Sequence, residues 1–116
     1  MFRLCGRFES IYKGMSMIRH IVMWRVAGRT AEERRETASY VKKEFESLRG
    51  VIPGLVALEV GIDVSAVDYA CDVVLVTDFE SRAALEAYAD HPEHLRVREA
   101  LTGMREARHQ VDYYLH

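Results

Sequence analysis

Five histidines are the side chains of this sequence best suited to exchange protons at neutral pH, because an imidazole ordinarily titrates at about 6.5. His91 and His94 stand three residues apart, and with His20 they could supply three nitrogen ligands to a metal. Their positions match no spacing signature of a metal site, so we predict none. His109 and His116 are expected at the surface near the end of the chain. His91 precedes a proline and is better placed to cap a helix than to transfer a proton.

Isolated cysteines and a balanced charge indicate the class of protein. Cys5 and Cys71 form no CxxC pair, which predicts neither a disulfide framework nor a zinc site and favours a reducing, cytoplasmic location. Cys71 shares a strand face with Val73 and is expected to be a small buried hydrophobe rather than a nucleophile. The formal charge is −2 with no block of one sign, and no apolar run approaches the roughly 20 residues needed to cross a bilayer. We therefore predict binding neither to nucleic acid nor to membranes.

The pattern of strands and helices follows the order β-α-β-β-α-β, which predicts a ferredoxin-like α+β fold with a four-stranded antiparallel sheet. Runs of β-branched and aromatic residues predict strands at 18–26, 55–62, 69–79 and 110–115. Thr30 and Ser81 are typical helix caps, and Pro53-Gly54 is expected to end the first helix. His91-Pro92 is expected to break the second helix and to begin another.

The first sixteen residues precede this pattern. Met15 and Met17 stand just before the first strand. Residues 1–16 are therefore expected to be an N-terminal extension that folding does not need, either disordered or added by an upstream alternative start, and the domain is expected to span residues 17–116.

Both faces of the central strands are apolar. In the first strand one face carries His20, Val22, Trp24 and Val26, and the other carries Ile21, Met23 and Arg25. The helices of such a fold cover only one face of the sheet, so the other face, which we expect to include Trp24, would remain as a large exposed apolar patch. The simplest remedy is a two-fold homodimer in which two sheets close into a barrel.

Three blocks carry a resemblance to a known family: MIRHIVMWRV, SLRGVIPGLVALEVGIDV and DFESRAALEAYADHPEHLRV. Over residues 17–115 the chain resembles the Dabb (stress-responsive dimeric α/β-barrel) family. The family includes a plant polyketide cyclase and a boiling-stable plant stress protein, and its superfamily includes cofactor-independent monooxygenases. The resemblance implies a homodimer that needs no cofactor.

The resemblance to the cyclase also implies a set of site residues. His94 would be the general base, Tyr88 would hold a carbonyl or enolate oxygen, and Asp112 would accept a hydrogen bond from His94 and fix its tautomer. The alternative is that the HPEH segment is a structural helix break, in which His94 bonds to a carbonyl or to Asp112 for packing. The implied pocket lining consists of His20, Val22, Trp24, Phe45, Leu58, Leu75, Thr77, Arg108 and Gln110.

Departures from the cyclase change the expected ligand. Val73 stands where the cyclase has a pocket histidine, and Phe45 stands where it has a tyrosine. Arg108 and Gln110 replace apolar residues of the last strand. The cyclase substrate is therefore not implied, and a smaller ligand with a carboxylate or carbonyl near Arg108 fits better.

Two kinds of function remain open at the level of sequence. One is a dimeric barrel that binds a small aromatic or acidic molecule, with a cyclase, lyase or cofactor-free oxygenase as its catalytic form. The other is a non-catalytic stress-response or assembly domain whose barrel interior is filled. A cavity of roughly 300 Å³ or more, lined by His94, Tyr88 and Trp24, would favour the first.

Overall fold

A computed structural model describes residues 16–116, which form the predicted ferredoxin-like fold. The elements in chain order are β1 (Ile18–Val26), α1 (Ala31–Glu46), β2 (Leu55–Ile62), β3 (Val73–Phe79), α2 (Arg82–Ala89), α3 (Pro92–Ala100) and β4 (Arg105–Tyr114). The strands form one antiparallel sheet in the order β2-β3-β1-β4, so β4 is an edge strand. No helix in the described part is long and apolar enough to cross a membrane. The predicted extension lies outside the described residues, except for Ser16.

The predicted caps start all three helices. Thr30 Oγ1 accepts a hydrogen bond of 3.0 Å from the Glu33 amide, and the Glu33 carboxylate accepts one from the Arg29 amide. The Ser81 hydroxyl and His91 Nδ1 cap α2 and α3 in the same way, each accepting from an amide of the first turn at 3.1 Å. These bonds satisfy amides that a helix leaves without an internal partner.

The first helix and two strands have bounds that differ from prediction. α1 ends at Glu46 rather than at Pro53-Gly54, and β4 ends at Tyr114 rather than Leu115. β3 begins at Val73 rather than Tyr69, so the half-buried Cys71 lies just before the strand. β4 begins at Arg105 rather than Gln110, because its first half pairs with β1 despite its polar sequence. The β1–β4 register shifts there, with Ala107 opposite Arg25 but Arg105 opposite Val26, which leaves one extra residue in β4. Such a bulge re-aims neighbouring side chains.

The helices cover the face of the sheet that contains Trp24, so the expectation that Trp24 lies on the uncovered face is wrong. Trp24 is buried, with 3% of its surface exposed, and it stacks on Phe45 of α1 with ring centroids 5.0 Å apart. Alternation along β1 separates the two faces correctly. It cannot tell which face receives the helices, because both are apolar.

The uncovered face is apolar at its centre. Its central residues are Ile21, Met23, Val74, Val76 and Val111, and Tyr113 lies opposite Arg19 toward one end. Met23, Val111 and Tyr113 are exposed. At one end of the face, Arg19 donates two hydrogen bonds to Asp78, at 2.7 and 2.9 Å. A patch of this kind marks an interaction surface.

Candidate functional site

A cavity lies between the helix-covered side of β1 and β4 and the helices α2 and α3. α1 packs mainly across β2 and β3, and in the described part β4 packs closely only against β1. The space above β4 is therefore open and forms two adjoining lobes. The inner lobe has a volume of about 470 Å³ and reaches Trp24 and Phe45, and the outer lobe has about 400 Å³ and reaches Gln110 and Asp112. His20, Tyr88, Ala89, His94 and Arg108 line both lobes.

Most of the residues implied by the resemblance line one lobe or the other. Two do not, and their predicted place in the lining is wrong. Leu58 and Thr77 are paired across β2 and β3 and are buried in the core. The Thr77 hydroxyl donates to the His20 carbonyl at 3.3 Å. The helices pack across this part of the sheet and leave no open space above it.

His94 is oriented as a hydrogen-bond acceptor toward the cavity. Its Nδ1 lies 3.1 Å from the Ala89 carbonyl, which can only accept, so Nδ1 carries the proton and Nε2 keeps its lone pair. Burial lowers the pKa of His94, the Ala89 carbonyl opposes this, and the charge of Arg98 lowers the pKa further. The imidazole is therefore neutral at pH 7 and suited to accept a proton.

Tyr88 is suited to donate a hydrogen bond in the same place. Its ring lies 4.1 Å from that of His94, between centroids, and only 4% of the residue is exposed. Its hydroxyl forms no hydrogen bond with a described residue, and Tyr88 lines both lobes of the cavity. Burial raises the pKa of Tyr88 and outweighs the opposite effect of Arg105 and Arg108, which keeps the phenol protonated.

The predicted hydrogen bond between Asp112 and His94 is wrong, because Asp112 pairs with His20 instead. The two residues stand directly opposite each other in the β1–β4 register and point to the same face. Asp112 Oδ1 lies 2.6 Å from His20 Nδ1. Its Oδ2 accepts a hydrogen bond from the side-chain Nε2 of Gln110 at 3.0 Å. The site thus contains a histidine–carboxylate pair and, beside it, a separate neutral His94.

Two arginines of the site were missed from the sequence. Arg98 on α3 and Arg105 on β4 line the inner lobe with the predicted Arg108. The Arg105 guanidinium carbon lies 5.2 Å from the centroid of the Trp24 ring and 6.0 Å from that of Phe45. Arg98 follows His94 by one helical turn, a spacing that places both on one helix face. Arg105 lies at the β4 bulge, and no feature of the sequence predicts that bulge.

Titration of His94 will test this arrangement. We expect the midpoint of its Cε1–H signal in NMR to lie below 6.5, the ordinary value, because burial disfavours the imidazolium. Arg98→Gln should raise the midpoint by removing a nearby positive charge. Asp112→Asn should not lower it, because that carboxylate pairs with His20. A midpoint that falls in Asp112→Asn would mean that His94 is the partner of Asp112 after all, because the loss of a bonded carboxylate destabilises the imidazolium.

Comparisons with known proteins agree with this fold. The stress responsive A/B barrel domain (Dabb) model matches residues 18–115. Among solved structures, a dimeric ferredoxin-like protein of unknown function from Bacteroides fragilis is 27% identical, with a TM-score of 0.75 over 85% of this chain and 96% of that one. A Dabb family protein from Mesorhizobium loti is 25% identical, with a TM-score of 0.63 over 84% and 95%.

A more distant structure shares the fold alone. The hydroxynitrile lyase of Passiflora edulis is 15% identical, with a TM-score of 0.72 over 88% of this chain and 95% of that one. No match was found among curated proteins. The family match covers nearly every described residue, and the chain therefore belongs to the stress responsive A/B barrel (Dabb) domain family.

Proposed function

We propose that this protein binds a small aromatic or acidic molecule in the cavity of each protomer of a homodimer. The observation that carries the proposal is a cavity of about 470 Å³ lined by His94 and by Tyr88, whose hydroxyl forms no hydrogen bond with a described residue. Ligand sites typically combine apolar walls with a few polar groups that have hydrogen bonds left to make. A cytoplasmic location, as the isolated cysteines suggest, is part of the same proposal.

The homodimer is supported by the uncovered sheet face. A monomer would leave its apolar centre, including Ile21 and Val76, in contact with water. The structures from Bacteroides fragilis and Thermobifida fusca, 27% and 25% identical to this chain, are described as dimeric. Packing two such faces together about a two-fold axis buries both patches and leaves each cavity intact on the opposite side of its sheet.

A purely structural role is the alternative, and the cavity is the observation against it. A stress-response or assembly domain would need only a filled interior. Here the inner lobe exceeds the roughly 300 Å³ that marks a ligand-sized cavity. Tyr88 also contributes a hydroxyl that makes no hydrogen bond within the described residues, which a purely structural core would not require.

A second candidate is proton-transfer catalysis of the cyclase or lyase type without a cofactor. It is favoured by one observation, the Nδ1 bond to Ala89 that leaves His94 Nε2 as a base beside the neutral Tyr88 phenol. A base next to a hydrogen-bond donor can remove a proton and stabilise the oxyanion that forms. The fold also supports a hydroxynitrile lyase in Passiflora edulis. The His94 titration is its first test, because an imidazole already protonated at pH 7 could not act as this base.

Ligand binding can be tested with a panel of aromatic fragments that includes phenol, indole, catechol, benzamide and benzoate. The chain has a single tryptophan, so one indole N–H signal in an NMR spectrum reports on Trp24 and the inner lobe. We expect at least one fragment to shift this signal saturably. His94→Ala should weaken the binding of every fragment that binds the wild-type protein, because it removes a polar side chain that lines both lobes.

The matched control is Tyr40→Ala on the exposed side of α1, away from both lobes, which should change no fragment affinity. If no fragment moves the Trp24 signal, the structural role is the better assignment. If fragments bind with unchanged affinity in His94→Ala, the site lies elsewhere.

A further inference from the structure

We propose that the inner lobe is an anion site, in which Arg98, Arg105 and Arg108 hold the carboxylate or phosphate group of a planar organic ligand. The inference rests on the proposed function, since it names the chemical class of the molecule that would occupy the same cavity. Two of the three arginines come from β4 and one from α3, and all three line the inner lobe.

The three cavity arginines form no ion pair with any described residue. Three other arginines of the described residues, Arg19, Arg82 and Arg96, do form ion pairs. Arg96, also on α3, donates to Glu93 at 3.0 Å and to Glu44 at 3.2 Å. The cavity side of α3 and β4 thus presents positive charge that no ion pair among the described residues neutralises.

The carboxylates near the cavity do not cancel this charge. Asp112 is engaged by His20 and Gln110 and lies in the outer lobe. Glu106 lines the inner lobe but forms no ion pair with a described residue. Three guanidinium groups therefore face one carboxylate in this lobe, and a bound anion would relieve their mutual repulsion.

Arg105 is held in place by aromatic rings rather than by an ion pair with a described residue. It is half-buried against the Trp24 and Phe45 rings, and a guanidinium over an aromatic face is positioned by the ring while keeping its full charge. Burial and the like charges of Arg98 and Arg108 lower its pKa, as expected for a cation without a counter-charge. A planar fork held in this way can bind a carboxylate or phosphate through two parallel hydrogen bonds.

The aromatic wall indicates the remainder of the ligand. Trp24 and Phe45 lie nearly parallel, with an interplanar angle of 14°, and border the same lobe. Both rings are nearly fully buried, with 3% of Trp24 and 1% of Phe45 exposed, so a flat ring would contact their edges, with its anionic group on the arginines. The rest of the molecule would then extend toward Tyr88 and His94, which line both lobes.

The test compares 2-naphthoate, 2-naphthyl phosphate and the neutral 2-naphthamide, with the Trp24 indole signal as the readout. We expect at least one of the two acids to bind at least about tenfold more tightly than the amide, because charge-assisted hydrogen bonds are stronger than neutral ones. The tighter of the two acids identifies whether the site prefers a carboxylate or a phosphate. Arg105→Met and Arg98→Gln should each weaken the preferred acid by about tenfold and leave the amide within about twofold. Arg98 is exposed, so its variant should keep its fold even if Arg105→Met does not.

The control is Arg35→Met, which removes the same charge from an exposed position on α1 outside both lobes and should change no affinity. Equal affinity for the acids and the amide would overturn the anion site while leaving a ligand-binding cavity in place. Unchanged acid binding in Arg98→Gln would overturn it as well. Binding of neither acid would also overturn it, whereas the fragment panel decides separately whether the cavity binds ligands at all.

Discussion

Ile21→Asp is expected to convert the proposed dimer into monomers. Ile21 lies at the centre of the uncovered face, between Val76 of β3 and Val111 of β4. In a two-fold interface the substitution places two unpaired carboxylates in apolar surroundings. An unpaired buried charge costs about 3 kcal/mol or more, which corresponds to at least about a hundredfold weaker self-association. Sedimentation equilibrium over a range of protein concentrations measures this change directly.

Tyr40→Asp is the matched control for this experiment. Tyr40 is 40% exposed on α1, on the opposite side of the sheet from the proposed interface. The same new charge should therefore leave self-association unchanged. A dimer that tolerates Ile21→Asp but not Tyr40→Asp would place the interface on the helices and would contradict the barrel arrangement.

Trp24→Ala is expected to destabilise the fold itself, by about 3–5 kcal/mol. The substitution removes the indole that stacks on Phe45 and supports Arg105, and it enlarges the adjoining cavity. Folded domains of this size are stable by only about 5–15 kcal/mol, so the loss should be visible as a large shift of the urea midpoint. Circular dichroism at a fixed protein concentration is a suitable readout, because the variant contains no tryptophan.

Trp24→Phe is the comparison for this second experiment. It keeps an aromatic ring against Phe45 and should reduce the free energy of unfolding clearly less than Trp24→Ala does. Had Trp24 been on the uncovered face, Trp24→Ala would weaken the dimer and spare the monomer. A variant that retains its unfolding midpoint but dissociates would contradict the position of Trp24 described above.

The sequence by itself determined the features that depend on neighbouring residues. The bounds of β1 and β2 were predicted to the residue, because both are short apolar runs between breakers. Thr30, Ser81 and His91 were recognisable as caps because a cap bonds to amides only two or three residues away. The family, and with it the ferredoxin-like fold, could also be inferred from three blocks of sequence.

Only the tertiary structure shows which face of the sheet the helices cover and which side chains pair with one another. Alternation divides β1 into two apolar faces, but only the packing of α1 shows that Trp24 points to the helices. Asp112 pairs with His20 rather than His94 because antiparallel register sets it opposite His20 across β1 and β4, ninety-two residues away in sequence. The arginines of the inner lobe lie near one another because of a bulge in β4 and the position of α3. No local sequence pattern predicts that these distant residues line the same lobe. Contacts between distant segments depend on register and packing, which a reading of neighbouring residues does not contain.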